Sequence, residues 1–230
     1  MANKKTPKKK SNRQSIIIGV IALIIIVIGA YAVIRQPGSE NTNSTNPTAT
    51  PTATPTTSPA NSNSTIGTKV LLQTTAGNIT IQLRTDKPIT TTNFINIVQK
   101  GWYDGTTFHR TMTGFMIQGG IINETVPTIH DEIGNNNRNV AYTIAMAKTN
   151  DPNSATSEFF INVADNGNNW IDQAHTTKFD QVYTEFGTVI SGQSVVDSIA
   201  NAPVTENPYN PGEMSVPVNP VSIITATIIP

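Results

Sequence analysis

The chain has 230 residues, no cysteine and a formal net charge of zero. The missing thiols exclude a disulfide framework, a thiol nucleophile, thiolate metal ligation and a lipoprotein cysteine. Seven of the fifteen basic residues, Lys4 to Arg35, precede every acidic one, so the remainder sets eight basic residues against fifteen acidic ones. An acidic body argues against nucleic acid as a partner.

Residues 1–15 are basic and polar and are expected to form a cytoplasmic tail. Residues 16–34 carry no charge and are mostly Ile, Val, Ala and Gly. That length approaches the ~20 residues that span hydrocarbon as a helix. With a cationic flank, it predicts a signal-anchor with the C-terminal body outside the cytoplasm. Cleavage after Ala30-Tyr31-Ala32, with secretion, is the alternative. An uncleaved anchor is favoured because the apolar run is long and continues past that site. Residues 35–66 are almost wholly Asn, Thr, Ser, Pro and Ala. Such composition cannot bury a core and predicts a disordered linker holding the body off the membrane.

The folded domain is expected over 67–230. Lys69–Thr75 and Asn78–Arg84 flank Ala76-Gly77 as a hairpin, with Ile79, Ile81 and Leu83 alternating with polar residues. Pro88 opens a helix with Phe94, Ile97 and Val98 on one face and Gly101 past its end. Thr106–Met112 and Phe115–Gln118 read as a second hairpin around Thr113-Gly114. Alternation places Phe108, Arg110 and Met112 on one face and Thr107, His109 and Thr111 on the other. On the partner strand, Phe115 and Ile117 oppose Met116 and Gln118. An arginine on an apolar face needs a partner or a purpose. Residues 135–139 read as a polar loop, Ala141–Ala147 and Glu158–Val163 as strands, and Asn166–Asn169 as a turn. Phe186–Ile190 reads as a strand, Ser194–Ala200 as a helix, and Val221–Ile229 as the last strand after a Pro/Asn-rich loop. Short strands with an early and a late helix predict a mainly β barrel capped by helices. His130-Asp131-Glu132 reads as a solvated loop, and no metal or cofactor is expected.

The stretch Phe108-His-Arg110, followed by Gly114-Phe-Met-Ile-Gln-Gly-Gly120, resembles the signature of the cyclophilins, which are peptidyl-prolyl cis-trans isomerases. Thr143–Ala147 and Ser154–Asn162 resemble the family's second motif, in its bacterial form. The resemblance implies a closed eight-stranded antiparallel barrel with two helices, acting on proline-containing peptides. Arg110 falls on the catalytic arginine, and Gln118 on the glutamine that supports it. Phe115, Met116, Phe160 and Ile171 fall on the proline pocket. Ala147 and Lys148 fall on the segment whose backbone meets the substrate. His109 precedes the arginine as in the family, and Trp170 stands where an aromatic is frequent. Glu158 replaces the usual glutamine, and is expected to pair with Arg110 or with a basic substrate. Tyr183 stands where many members have histidine, after a lengthened connection at 172–181. The implied protein is a membrane-tethered monomeric isomerase acting on unfolded exported proteins. A non-catalytic proline-peptide-binding chaperone or scaffold is the alternative.

Overall fold

The computed structural model describes residues 67–134, 136–169 and 178–230. The predicted anchor at 16–34, the linker, Trp170 and Ile171 lie outside the described residues. Among the described residues, no helix is long and apolar enough to cross a membrane.

The domain begins with the expected hairpin, β1 (Lys69–Thr74) and β2 (Gly77–Leu83). Their alternating apolar residues point one way, so Val70, Leu72, Ile79, Ile81 and Leu83 are all buried. Helix α1 (Pro88–Gln99) has proline in its first turn and no capping side chain from its own N-cap residue. The cap comes from a distant loop. The Glu132 carboxylate accepts hydrogen bonds from the backbone N–H groups of Ile89, at 3.1 Å, and Thr90, at 2.8 Å. This satisfies orphan donors and places a negative charge at the positive end of the helix dipole.

The strands β3 (Phe108–Met112), β4 (Met116–Gly119), β5 (Thr143–Met146) and β6 (Phe159–Asn162) follow. A short helical turn, α2 (Asn166–Asn169), and a 3-10 turn at Phe179–Gln181 precede β7 (Glu185–Ser191). Helix α3 (Gln193–Ala200), strand β10 (Ile223–Ile229) and, between them, a small hairpin of β8 (Val204–Glu206) and β9 (Met214–Pro217) complete the domain. That hairpin occupies the stretch read from sequence as a Pro/Asn-rich loop.

Eight strands form one antiparallel sheet in the order β10-β1-β2-β7-β5-β6-β4-β3. The sheet is a curled half-barrel, and the expected closed barrel is not formed. Its two outer strands meet at one isolated bridge, Thr107 with Ser222, rather than along a ladder. The reason lies at the free edge of β10. The N–H of Ala226 donates to the Asp104 carboxylate at 2.9 Å, and the N–H of Gly105 donates to Ile223 O at 2.7 Å. The turn before β3 therefore takes the bonds that a continuing β3 would have made.

The main core lies inside the curl. Phe94, Tyr103, Phe108, Phe159 and Phe186 are fully buried there, and their rings meet in edge-to-face and tilted contacts. The Tyr103 hydroxyl donates to Ser157 O at 2.8 Å, so its polar tip is satisfied.

Candidate functional site

The outer side of β4, β5 and β6 carries a second, smaller apolar cluster. Phe115, Met116, Ala145, Phe160 and Phe179 form it, with Met112, Ala147 and Tyr183 packed against it. Strand alternation separates it from the main core. On β6 Phe159 enters the core and Phe160 the cluster. On β5 Ile144 and Met146 enter the core and Ala145 the cluster, and on β4 Ile117 and Met116 divide likewise. Phe115 precedes β4 and joins Met116, not Ile117, which corrects the expected face.

The expected grouping of Phe108 with Arg110 also fails, for a physical reason. Phe108 pairs with Gly119 and Arg110 with Gln118, so His109 is an extra residue opposite a single step of β4. Such a bulge bends the strand and re-aims the next side chain. Phe108 keeps its place in the core, while Arg110 emerges beside Met112 and Gln118.

Arg110 is a half-buried cation with named partners. Its Nε donates to Glu213 Oε1 at 2.7 Å and its Nη2 to Glu213 Oε2 at 2.8 Å. Its Nη1 donates to Gln118 Oε1 at 3.3 Å, and the Met116 sulfur lies 4.0 Å from the same nitrogen. The guanidinium carbon is 6.0 Å from the Phe115 ring centre. The expected Arg110–Glu158 pair is not among the bonds made. Glu158 instead accepts from Gln118 Nε2 at 3.0 Å and lies 3.5 Å from His109 Nε2. The consequence is an orientation. An ionised carboxylate only accepts, so Gln118 turns its amide nitrogen to Glu158 and its oxygen to Arg110.

The environment sets the charge states. Burial pushes the Glu158 carboxyl above its usual range, against the opposing bond from Gln118. Burial, and then the nearby Arg110 charge, lower His109 to about 4, so it is neutral at pH 7. Glu213 also loses hydration, which raises its pKa. The bonds from Arg110, Ser215 and Asn207 outweigh this and lower it to about 2.

One wall of the cluster is hung on a buried polar network. Asn139 and Asn162 are fully buried and Asn166 nearly so. Asp180 Oδ1 accepts from the Asn139 backbone N–H at 2.6 Å. Asn137 Nδ2 donates to the carbonyls of Asp180 and Tyr183, each at 2.8 Å. These bonds bring Phe179 and Tyr183 to Phe160, with the Tyr183 and Phe160 rings edge to face at 5.4 Å. Gly167 is required in this packing, since a Cβ there would collide with the Asp180 carboxylate.

The structure thus brings together Arg110, Gln118, Phe115, Met116, Phe160, Ala147, Glu158, His109 and Tyr183. Lys148 follows Ala147 in the same segment, and its side chain turns elsewhere. Its buried ammonium pairs with Asp131 at 3.1 Å, so its side chain ties two loops. The Ala147 N–H donates to Glu158 O at 2.9 Å. Sequence reading missed Glu213, Phe179 and Met112. Glu213 had one signal, an acidic residue, with Glu206, in a run of asparagine and proline. Among the described residues no group of acidic or histidine side chains is arranged to hold a metal.

A curled antiparallel half-barrel with two helices, carrying an arginine at the rim of an apolar cleft, defines the class of this protein. Residues 69–228 match the model of the family described as cyclophilin type peptidyl-prolyl cis-trans isomerase/CLD. The chain is 42% identical over 167 residues to peptidyl-prolyl cis-trans isomerase cyp18 of Streptomyces antibioticus, covering 70% of this chain and 98% of that protein. It is 42% identical over 175 residues to peptidyl-prolyl cis-trans isomerase A of Dickeya dadantii, covering 72% and 87%. A crystal structure of a Cryptosporidium parvum cyclophilin type isomerase superposes with a TM-score of 0.58 at 23% identity, covering 71% and 98%. The chain belongs to the cyclophilin-type peptidyl-prolyl cis-trans isomerases.

Proposed function

We propose that this protein accelerates X-Pro isomerisation in exported or surface proteins, tethered to the membrane by residues 16–34 with its domain outside the cytoplasm. The observation that carries the chemistry is the place of Arg110. Its guanidinium stands at the edge of a dry aromatic cluster, held on one side by Glu213 and on another by Gln118.

Amide resonance gives the peptide bond a rotational barrier of ~18–20 kcal/mol. X-Pro bonds populate both isomers yet exchange over tens of seconds or more. No nucleophile is needed to speed this. The catalyst must hold the proline ring and favour the twisted amide. In that state the prolyl nitrogen loses conjugation and accepts a hydrogen bond. Phe115, Met116 and Phe160 provide the ring's seat, with Phe179 and Tyr183 as its far wall. Arg110 is the donor for the twisted amide, binding it more tightly than either ground state. Gln118 orients the donor, and Ala147 lies along the substrate chain. Beyond Glu158, a groove bordered by Ile121, Glu124, Val126 and Thr156 offers a second carboxylate. Substrates with a cationic or hydrogen-donating residue there are favoured.

The test is isomer exchange in a short proline peptide, followed by NMR with the purified full-length chain in detergent. Arg110→Ala is expected to abolish most of the acceleration, and an unchanged rate refutes the mechanism. A second reading is a proline-peptide-binding module with little turnover, favoured by the two Arg110 N–H groups already engaged by Glu213. Peptide binding without detectable exchange in the wild-type chain would establish it. Cell fractionation with an antibody to the domain tests the tether. Recovery in the membrane pellet is expected, and recovery in the culture medium supports cleavage and secretion instead.

A further inference from the structure

Glu213 sits in the turn of the β8–β9 hairpin, 103 positions from the arginine it grips. Its Oε1 accepts from Arg110 Nε, from Ser215 Oγ at 2.5 Å and from Asn207 Nδ2 at 3.2 Å. Its Oε2 accepts from Arg110 Nη2 and from Asn210 Nδ2 at 2.9 Å. A carboxylate has about four lone-pair sites, so five donors saturate it. The turn is itself closed by backbone bonds, Asn207 N–H to Glu213 O at 2.7 Å and Glu213 N–H to Asn210 O at 3.0 Å. Ser215 is fully buried beneath it. This is a built receptor for one guanidinium edge, unlike an exposed ion pair between two mobile chains.

The fork fixes the plane of the guanidinium, because two parallel N–H···O bonds leave it little rotation. Its Nε–Nη2 edge is then committed. Nη1 spends one hydrogen on Gln118 and directs the other toward Met116, whose sulfur is a weak acceptor. Two N–H groups are therefore left on weak acceptors beside the apolar cluster, one of Nη1 toward Met116 and one of Nη2 toward the Met112 sulfur at 3.4 Å. The counter-charge matters too. A lone cation beside a dry pocket would bear a large desolvation cost, which a paired one avoids. The twisted amide nitrogen is a neutral acceptor, so direction of the donor counts for more than its net charge.

We propose that Glu213 is a positioning residue for the isomerisation, gripping the Nε–Nη2 edge of Arg110 so that the remaining N–H groups of Nη1 and Nη2 are presented to the proline cleft, and that the β8–β9 hairpin is therefore a working part of the active site. This role presupposes that Arg110 acts on the substrate as proposed above.

The experiment measures kcat and KM for a proline tetrapeptide with the full-length chain in detergent, for wild type, Glu213→Ala, Glu213→Gln, Tyr209→Ala and Arg110→Ala. Tyr209 is an exposed residue of the same hairpin whose side chain is no part of the grip on Arg110, so it controls for substitution in the hairpin as such. Glu213→Ala is expected to lower kcat by about ten- to a hundredfold, the range for a misplaced reacting group, with KM little changed. Glu213→Gln keeps one acceptor oxygen and should fall between. Tyr209→Ala should match wild type. The Arg110 Nε–H signal in a nitrogen-15 spectrum should be sharp in wild type and lost to exchange in Glu213→Ala. If Glu213→Ala does not fold, Glu213→Gln, which preserves shape, decides the matter. A folded Glu213 variant with wild-type or higher kcat overturns the proposal. A wild-type rate in Arg110→Ala would instead overturn the catalytic reading of the site.

Discussion

The Glu213 carboxyl makes an acid-stability prediction with a magnitude. Its pKa falls from an ordinary 4.5 to about 2 in the folded protein. The folded value is below the unfolded one, so the stabilisation is fully present above pH 4.5. It is lost as pH falls toward 2, where the carboxylate takes its proton and releases Arg110. A shift of this size, at 1.36 kcal/mol per pKa unit, corresponds to ~3 kcal/mol. The side chain is only 12% exposed, so solvent screening removes little of it. Glu213→Gln removes the titration and keeps the shape. The assay is urea unfolding of wild type and Glu213→Gln at a series of pH values from 7 to 2.5. Wild type should be more stable by ~3 kcal/mol near neutrality, and the difference should narrow steadily below pH 4.5, to roughly half or less by pH 3. Other titrating groups are common to both proteins and cancel in the difference. A constant difference across the series would refute the reasoning, since it would mean that the ionised pair contributes nothing.

Three further outcomes follow from the same site. His109 is lowered to about 4 by burial, so the folded state resists its protonation, and stability should drop as pH falls from 6.5 to 4 and then level off. His109→Asn should remove that drop of roughly 3 kcal/mol in the unfolding curves. Glu158 is raised by burial, so its ionisation costs stability as pH rises through the folded pKa. Glu158→Gln should raise the melting temperature at pH 7.5 and leave it unchanged at pH 3.5, as read by calorimetry. Asp180→Ala orphans the buried Asn139 N–H, costing ~1–3 kcal/mol. It should raise KM more than it lowers kcat, because Phe179 and Tyr183 form a wall of the seat and not the donor.

The sequence determined the repeating parts of this protein. Period-two alternation in β2 and the helical spacing of Phe94, Ile97 and Val98 each follow from residues a few positions apart, and the structure keeps both. The long motifs around Arg110 and Phe160 gave the family and most of the cleft. Local pattern also explains the separation of core from cleft on β5 and β6, since adjacent residues on a strand must face opposite ways. Tertiary structure decided what alternation alone cannot. The bulge at His109 is a mismatch in pairing between two strands, invisible in either strand read singly, and it is what frees Arg110 from the face of Phe108. The open seam depends on Asp104 reaching Ala226 across 122 positions. The motifs offer Glu158 as one partner for Arg110, with a basic substrate as the carboxylate's alternative, because both residues lie within them. The true partner comes from a hairpin 103 residues away, in a stretch whose composition resembles a loop. A carboxylate finds its cation by distance in space, and the folded chain alone sets that distance.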